Sequence, residues 1–137
     1  MATALTLTNG SIEAREVTSV DRQLLNMPEA PGDTVEMRGW AAFDCTLSGV
    51  DVYCATVNTQ GTYTLTITNV ATGNTVLNSA SFDMNSLTAD TVTQLTLTST
   101  STDLDFSARD RWTVSLASNN ASLDAAGVYV SLDFTSV

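Results

Sequence analysis

Thr62-Tyr63-Thr64-Leu65-Thr66-Ile67-Thr68-Asn69 alternates apolar and hydroxyl side chains along its whole length. Tyr63, Leu65 and Ile67 point one way and the threonines the other. That period of two marks an antiparallel strand with one face buried and one face wet. Ala71-Thr72-Gly73-Asn74 then supplies a turn, and Thr75 to Phe82 is expected to return as the second arm of a hairpin.

The same period recurs outward in both directions. Leu95 and Leu97 alternate with Thr96 and Thr98; Trp112, Val114 and Leu116 with Thr113 and Ser115; Val128, Val130, Leu132 and Phe134 with Tyr129, Ser131 and Asp133. Upstream, Val35 and Met37 precede Gly39, and Val50, Val52 and Cys54 follow it. Short strands at regular spacing, with no helical period, predict an all-β, antiparallel, jelly-roll-like β-sandwich over residues 33–137. Trp112, Leu116, Leu65, Ile67, Val130 and Phe134 are its expected core.

Residues 1–32 read differently. Asn9-Gly10 is a hairpin signal between Leu5/Leu7 and Ile12. Ser19 to Asn26 reads as a short helical turn that stops before Pro28, and Pro28 and Pro31 bracket a linker. This stretch is expected to be an N-terminal arm or peripheral hairpin, too small to be a domain of its own. Its apolar residues Leu5, Leu7, Ile12, Leu24 and Leu25 must lie on this sandwich, on a neighbouring copy or on a larger partner; the stretch is expected to supply most of an intermolecular contact, and the sandwich to fold without it.

Composition removes whole classes of chemistry. The chain of 137 residues carries 15 acidic side chains against 5 basic ones, a net charge of −10, with no histidine. All five basic residues are arginines, so Schiff-base and P-loop lysine chemistry are impossible. Without histidine the commonest general base and metal ligand is missing. The four glutamates, Glu13, Glu16, Glu29 and Glu36, form no recognisable acid/base pair. An enzyme is not expected, and no catalytic residue, cofactor or metal site is assigned. The charge disfavours nucleic acid and anionic membrane surfaces as partners. No apolar run approaches a membrane span, and the first residues do not read as a signal peptide.

Cys45 and Cys54 are the only cysteines. If Ser48-Gly49 turns a hairpin, Cys45 faces Val52 and misses Cys54. If the segment stays extended, nine steps of about 3.3 Å separate the two by roughly 30 Å. Either register argues for buried free thiols. Asp103, Asp105 and Asp110 are oxygen-rich enough to suggest Ca²⁺, yet no closing glutamate follows, and solvated aspartates capping turn amides are the simpler reading.

The aromatic residues carry more. Trp112 is in phase with its apolar neighbours. Trp40 shares phase with Glu36 and Arg38, so either a bulge at Gly39 turns it inward or it is exposed. Tyr53 and Tyr129 are out of phase with the apolar residues beside them. Trp40, Tyr53 and Tyr129 are therefore the outward aromatic candidates, with Arg15, Arg22 and Arg38 as charged interface candidates. Aromatic residues and arginine anchor protein interfaces.

The order of these units also carries a resemblance. Arg38-Gly-Trp-Ala-Ala-Phe43 leads to Cys45-Thr-Leu-Ser-Gly-Val-Asp-Val-Tyr-Cys54. Gly61 to Asn69 and Thr72 to Leu77 follow, then Leu87 to Leu97, Asp103 to Trp112, and a Gly-led last strand, Ala126 to Thr135. Over residues 33–137 this style of strand and turn is similar to small β-sandwich virion proteins of tailed bacteriophages, of the head decoration (cement) or head-fibre type. The resemblance implies a non-enzymatic virion structural protein that decorates and stabilises a capsid. It would be made in the host cytoplasm, sit on the virion surface as a homotrimer, and bind a major capsid protein or another virion protein. The absence of lysine leaves any basic capsid contact to Arg15, Arg22 or Arg38. The rival reading is a glycan- or receptor-binding module on a fibre or tail, using Trp40, Tyr53 and Tyr129.

Overall fold

The computed structural model describes residues 2–8, 11–17, 20–29 and 31–137, and of residues 2–17 the backbone alone. It contains an antiparallel sandwich and a separate two-stranded sheet. β1 (Ala2–Thr8) pairs with β2 (Ser11–Val17) in a two-stranded sheet of its own. The predicted Asn9-Gly10 turn between them lies outside the described residues.

β3 (Val20–Met27), β4 (Thr34–Trp40), β5 (Cys45–Thr56) and β6 (Tyr63–Asn69) follow. Next come four two-residue strands: β7 (Asn74–Thr75), β8 (Phe82–Asp83), β9 (Thr93–Gln94) and β10 (Asp105–Phe106). β11 (Arg111–Ser118) and β12 (Ala126–Ser136) complete the chain. In the first large sheet β3 lies beside β12, β12 beside β5, and β5 beside both β9 and β10. In the second, β4 lies beside β11, β11 beside β6, and β6 beside both β7 and β8. If each pair of short strands is taken as one interrupted strand, four strands face four, and the chain changes sheet as a jelly roll does.

The helical turn expected at Ser19 to Asn26 is a correction: Val20–Met27 is a strand, paired with β12 from Val128↔Met27 to Thr135↔Val20. The arm therefore does not extend to residue 32, because the sandwich takes its first strand from within that stretch. Leu25 and Met27 are buried while Leu24 and Asn26 are exposed. A strand partner, and not the local sequence, decides this element, since helical and extended readings of an eight-residue segment differ little in propensity.

The core forms between the inner faces of the two sheets. Leu65, Ile67, Trp112, Leu116, Val130 and Phe134 are all buried, as the strand phases predict. Phe106 meets Phe134 edge to face, with ring centroids 5.3 Å apart. β5 is a single extended strand, not a hairpin. A bulge opposite Asp133/Phe134 shifts its phase, so Cys45 and Leu47 face inward before it and Val50, Val52 and Cys54 after it. Both cysteines are free and buried. Burial pushes the Cys45 thiol up to about 11.

The return from Ala71–Asn74 is interrupted. Thr75 pairs with Thr68, and the next pairing is Phe82 with Leu65. Residues 93–98 then close one flank of the sandwich. Leu95 N–H donates to Val50 O of the first sheet at 2.8 Å, and Thr98 N–H to Val76 O on the side of the second at 2.9 Å. Leu77 and Leu97 form an isolated bridge. On the opposite flank β3 and β4 are the outermost strands of their sheets.

Candidate functional site

The antiparallel register of β4 and β11 places Arg111 opposite Trp40 and Thr113 opposite Arg38. It also places Trp112 opposite Gly39, and this pairing explains why Trp40 stays outside. A Cβ at residue 39 would sit 2.1 Å from Cζ2 of Trp112, so the buried indole lies across the bare glycine. The register runs unbroken from Arg111↔Trp40 to Ala117↔Thr34, with no bulge. Trp112 is therefore core at 2% exposure, and Trp40 is 65% exposed on the other face. Among the described residues Nε1 of Trp112 has no hydrogen-bond partner.

A third arginine joins this corner through a turn. Asp110 N–H donates to Ser107 O at 2.9 Å, and Ser107 N–H donates to Oδ2 of Asp110 at 2.9 Å. Arg109, the third residue of that turn, has φ +76°, a left-handed conformation that favours glycine or asparagine. Arg109 N–H donates to Ala41 O at 2.8 Å, which ties the turn to the residue after Trp40. Trp40, Arg109 and Arg111 line an open depression of about 380 Å³. Arg38 hydrogen-bonds Glu36, which holds that carboxyl below its ordinary value. Arg109 and Arg111 form no ion pair among the described residues.

Beside this corner the outer face of the second sheet is hydroxylated. Thr113 pairs with Thr68 and Ser115 with Thr66, in successive outward rows. Ser115 Oγ donates to Oε2 of Glu36 at 3.2 Å.

The remaining candidates lie on the first sheet. Tyr129 sits directly opposite Tyr53, with ring centroids 6.1 Å apart. Tyr53 donates its hydroxyl to Asp90, and this bond raises its pKa. Leu24 and Val92, each 65% exposed, line the same depression of about 210 Å³ as both tyrosines. Arg22 grips Asp133 through two hydrogen bonds, Nε to Oδ1 at 2.7 Å and a terminal nitrogen to Oδ2 at 3.0 Å. These bonds hold the Asp133 carboxyl below its ordinary value. Arg22 is thus matched by the chain's own carboxylate across β3 and β12. Arg15 lies on β2 opposite Ala4, and its side chain is outside the described part.

The structure therefore divides the six candidates. Trp40 and Arg38 share one site on the second sheet, and Tyr53, Tyr129 and Arg22 share another on the first. Sequence reading missed Arg109, Arg111 and Val92, and took Leu24 as an apolar contact residue of the arm. Arg111 was detectable only from a strand register, and Arg109 only from a backbone angle.

The aspartates do not converge as a Ca²⁺ loop would. Asp103 is buried and accepts from Nδ2 of Asn74 at 3.0 Å, Asp105 accepts from Oγ1 of Thr46 at 2.9 Å, and Asp110 caps Ser107. The expectation of solvated turn aspartates is corrected at Asp103. Among the described residues no group of three or more carboxylate or thiol side chains is placed to hold a metal. No protein-family model, curated protein or solved structure matches this chain.

Proposed function

We propose that this chain is a non-enzymatic structural protein of a tailed-phage particle, which decorates the capsid and stabilises it by binding. One observation carries the reading: Leu24, Val92, Tyr53 and Tyr129 form an apolar and aromatic patch on an outer sheet face. Apolar residues gathered on a surface, with tyrosine among them, are suited to a protein contact. The partner is a coat protein or another virion protein, and the chain acts as a homotrimer. Binding the assembled shell and not the free coat subunits stabilises the shell by mass action. The resemblance of residues 33–137 to virion β-sandwiches supports the same reading.

The test is a reconstruction of the particle, with mass spectrometry of its proteins. A jelly-roll density on the shell exterior, seated through the Leu24–Tyr129 face, is expected. The Leu24→Asp variant should fold and lose particle binding. Absence of the chain from purified particles, or undiminished binding by Leu24→Asp, would overturn the reading.

A further inference from the structure

We infer that the corner formed by Trp40, Arg109 and Arg111 is a binding site for a carboxylate-bearing saccharide. The inference stands independently of the particle role, because it uses the other sheet.

Three observations point to a ligand. First, the chain has three acids for every arginine, yet Arg109 and Arg111 form no ion pair among the described residues, and they flank one exposed indole. Second, Arg109 occupies a left-handed turn position where glycine would be relaxed. Backbone strain of this kind concentrates where a side chain is held for use. Third, the depression of about 380 Å³ is open, and the next outward row of the sheet, two residues from Arg111, pairs Thr113 with Thr68.

The chemistry of this surface selects the ligand class. An exposed indole offers a flat apolar face to the C–H groups of a sugar ring. Guanidinium groups recognise carboxylate oxygens through paired hydrogen bonds. Hydroxyl rows exchange hydrogen bonds with sugar hydroxyls. Tryptophan and arginine also anchor protein interfaces, but threonine is under-represented among the residues that carry such contacts, whereas the row beside Arg111 pairs Thr113 with Thr68. Nucleic acid fits worst, since a net charge of −10 repels a dense polyanion beyond a few arginines. A short acidic saccharide, with a few carboxylates and not a long polyanion's many charges, engages the local cations while the remaining charge is screened within about 8 Å at physiological salt.

The experiment titrates the full-length chain with tetragalacturonate, maltotetraose, a heparin tetrasaccharide and a tetraglutamate peptide. Calorimetry and tryptophan fluorescence report binding, and Trp40 is the exposed reporter. Saturable binding of tetragalacturonate that weakens with salt is expected, with maltotetraose much weaker. Arg109→Gly should weaken binding about tenfold or more, the loss of a charged hydrogen bond. The same change relaxes the turn, so its melting temperature should not fall, and lost binding cannot be ascribed to unfolding. Trp40→Ala should weaken binding without lowering the melting temperature. No binding of tetragalacturonate at millimolar concentration would overturn the inference, as would full affinity in Arg109→Gly. Preference for the heparin fragment would replace the carboxylate by a sulfate, and equal binding of tetraglutamate would replace the saccharide by an acidic protein segment; either result sinks the proposal as stated.

Discussion

At the residue scale, Gly39 and Trp112 form a single fitted unit. The indole occupies the volume that any side chain at 39 would need. Gly39→Ala should therefore destabilise by about 1–3 kcal/mol, the cost of overpacking a close contact. Trp112→Ala empties the same space and should cost about 3–5 kcal/mol. Chemical denaturation of both variants checks the pair, and a Gly39→Ala midpoint equal to the parent would mean that the indole lies elsewhere. The thiols offer a second residue-scale test. Burial raises both cysteine pKa values, that of Cys45 to about 11. Only the thiolate reacts, so a disulfide reagent at neutral pH should label neither cysteine in the native protein and both on unfolding. Rapid native labelling would contradict the burial.

Elements are joined here by polar side chains as well as by ladders. Asn69, wholly buried at the end of β6, donates to the carbonyls of Asp103 and Asp105 at 3.2 and 3.0 Å and accepts from Ala71 N–H at 3.0 Å. Asn69→Ala would leave these groups unmatched in the interior and should cost about 1–3 kcal/mol in a denaturant melt. Arg22 and Asp133 tie β3 to β12 in an exposed position, where such pairs contribute little. Their signature is in pH dependence. Because the folded Asp133 value is depressed below 3.8, the pair's contribution is present above that pH. It is lost as pH falls through the lower folded value. Asp133→Asn should therefore melt below the parent at neutral pH and converge with it in acid. A difference that instead grows on acidification would reverse the assigned sign.

The molecule as a whole has one closed flank and one terminated by β3 and β4. Residues 93–98 bond to both sheets on the closed side. On the other side, Gln23 and Leu25 of β3, with Arg38 and Trp40 of β4, line a groove of about 360 Å³ that reaches Trp112. This architecture separates two truncations. Removing residues 1–17 deletes the two-stranded sheet and leaves both large sheets whole, so the chain should keep β-type circular dichroism and a cooperative melt. Removing residues 1–27 also deletes β3, unpairs one side of β12 and exposes the core beneath Leu25 and Met27, so the melt should fall sharply or broaden. Equal stability of the two truncations would show that β3 adds nothing to the sandwich.

Alternation by itself determined the sheet class, the inward and outward faces of β6, β11 and β12, and the six core residues, because a strand buried on one face writes its burial directly into a period of two. It also set Tyr53 and Tyr129 outward. It could not determine β3, whose extended form depends on hydrogen bonds to a strand about a hundred residues away. Nor could it determine the phase of β5, which changes at a bulge facing Asp133. The grouping of Trp40 with Arg109 and Arg111 was equally hidden: one arginine arrives by cross-strand register and the other by a left-handed turn. Local pattern specifies which way a side chain points relative to its own strand; only the pairing of distant strands decides which side chains then share a surface.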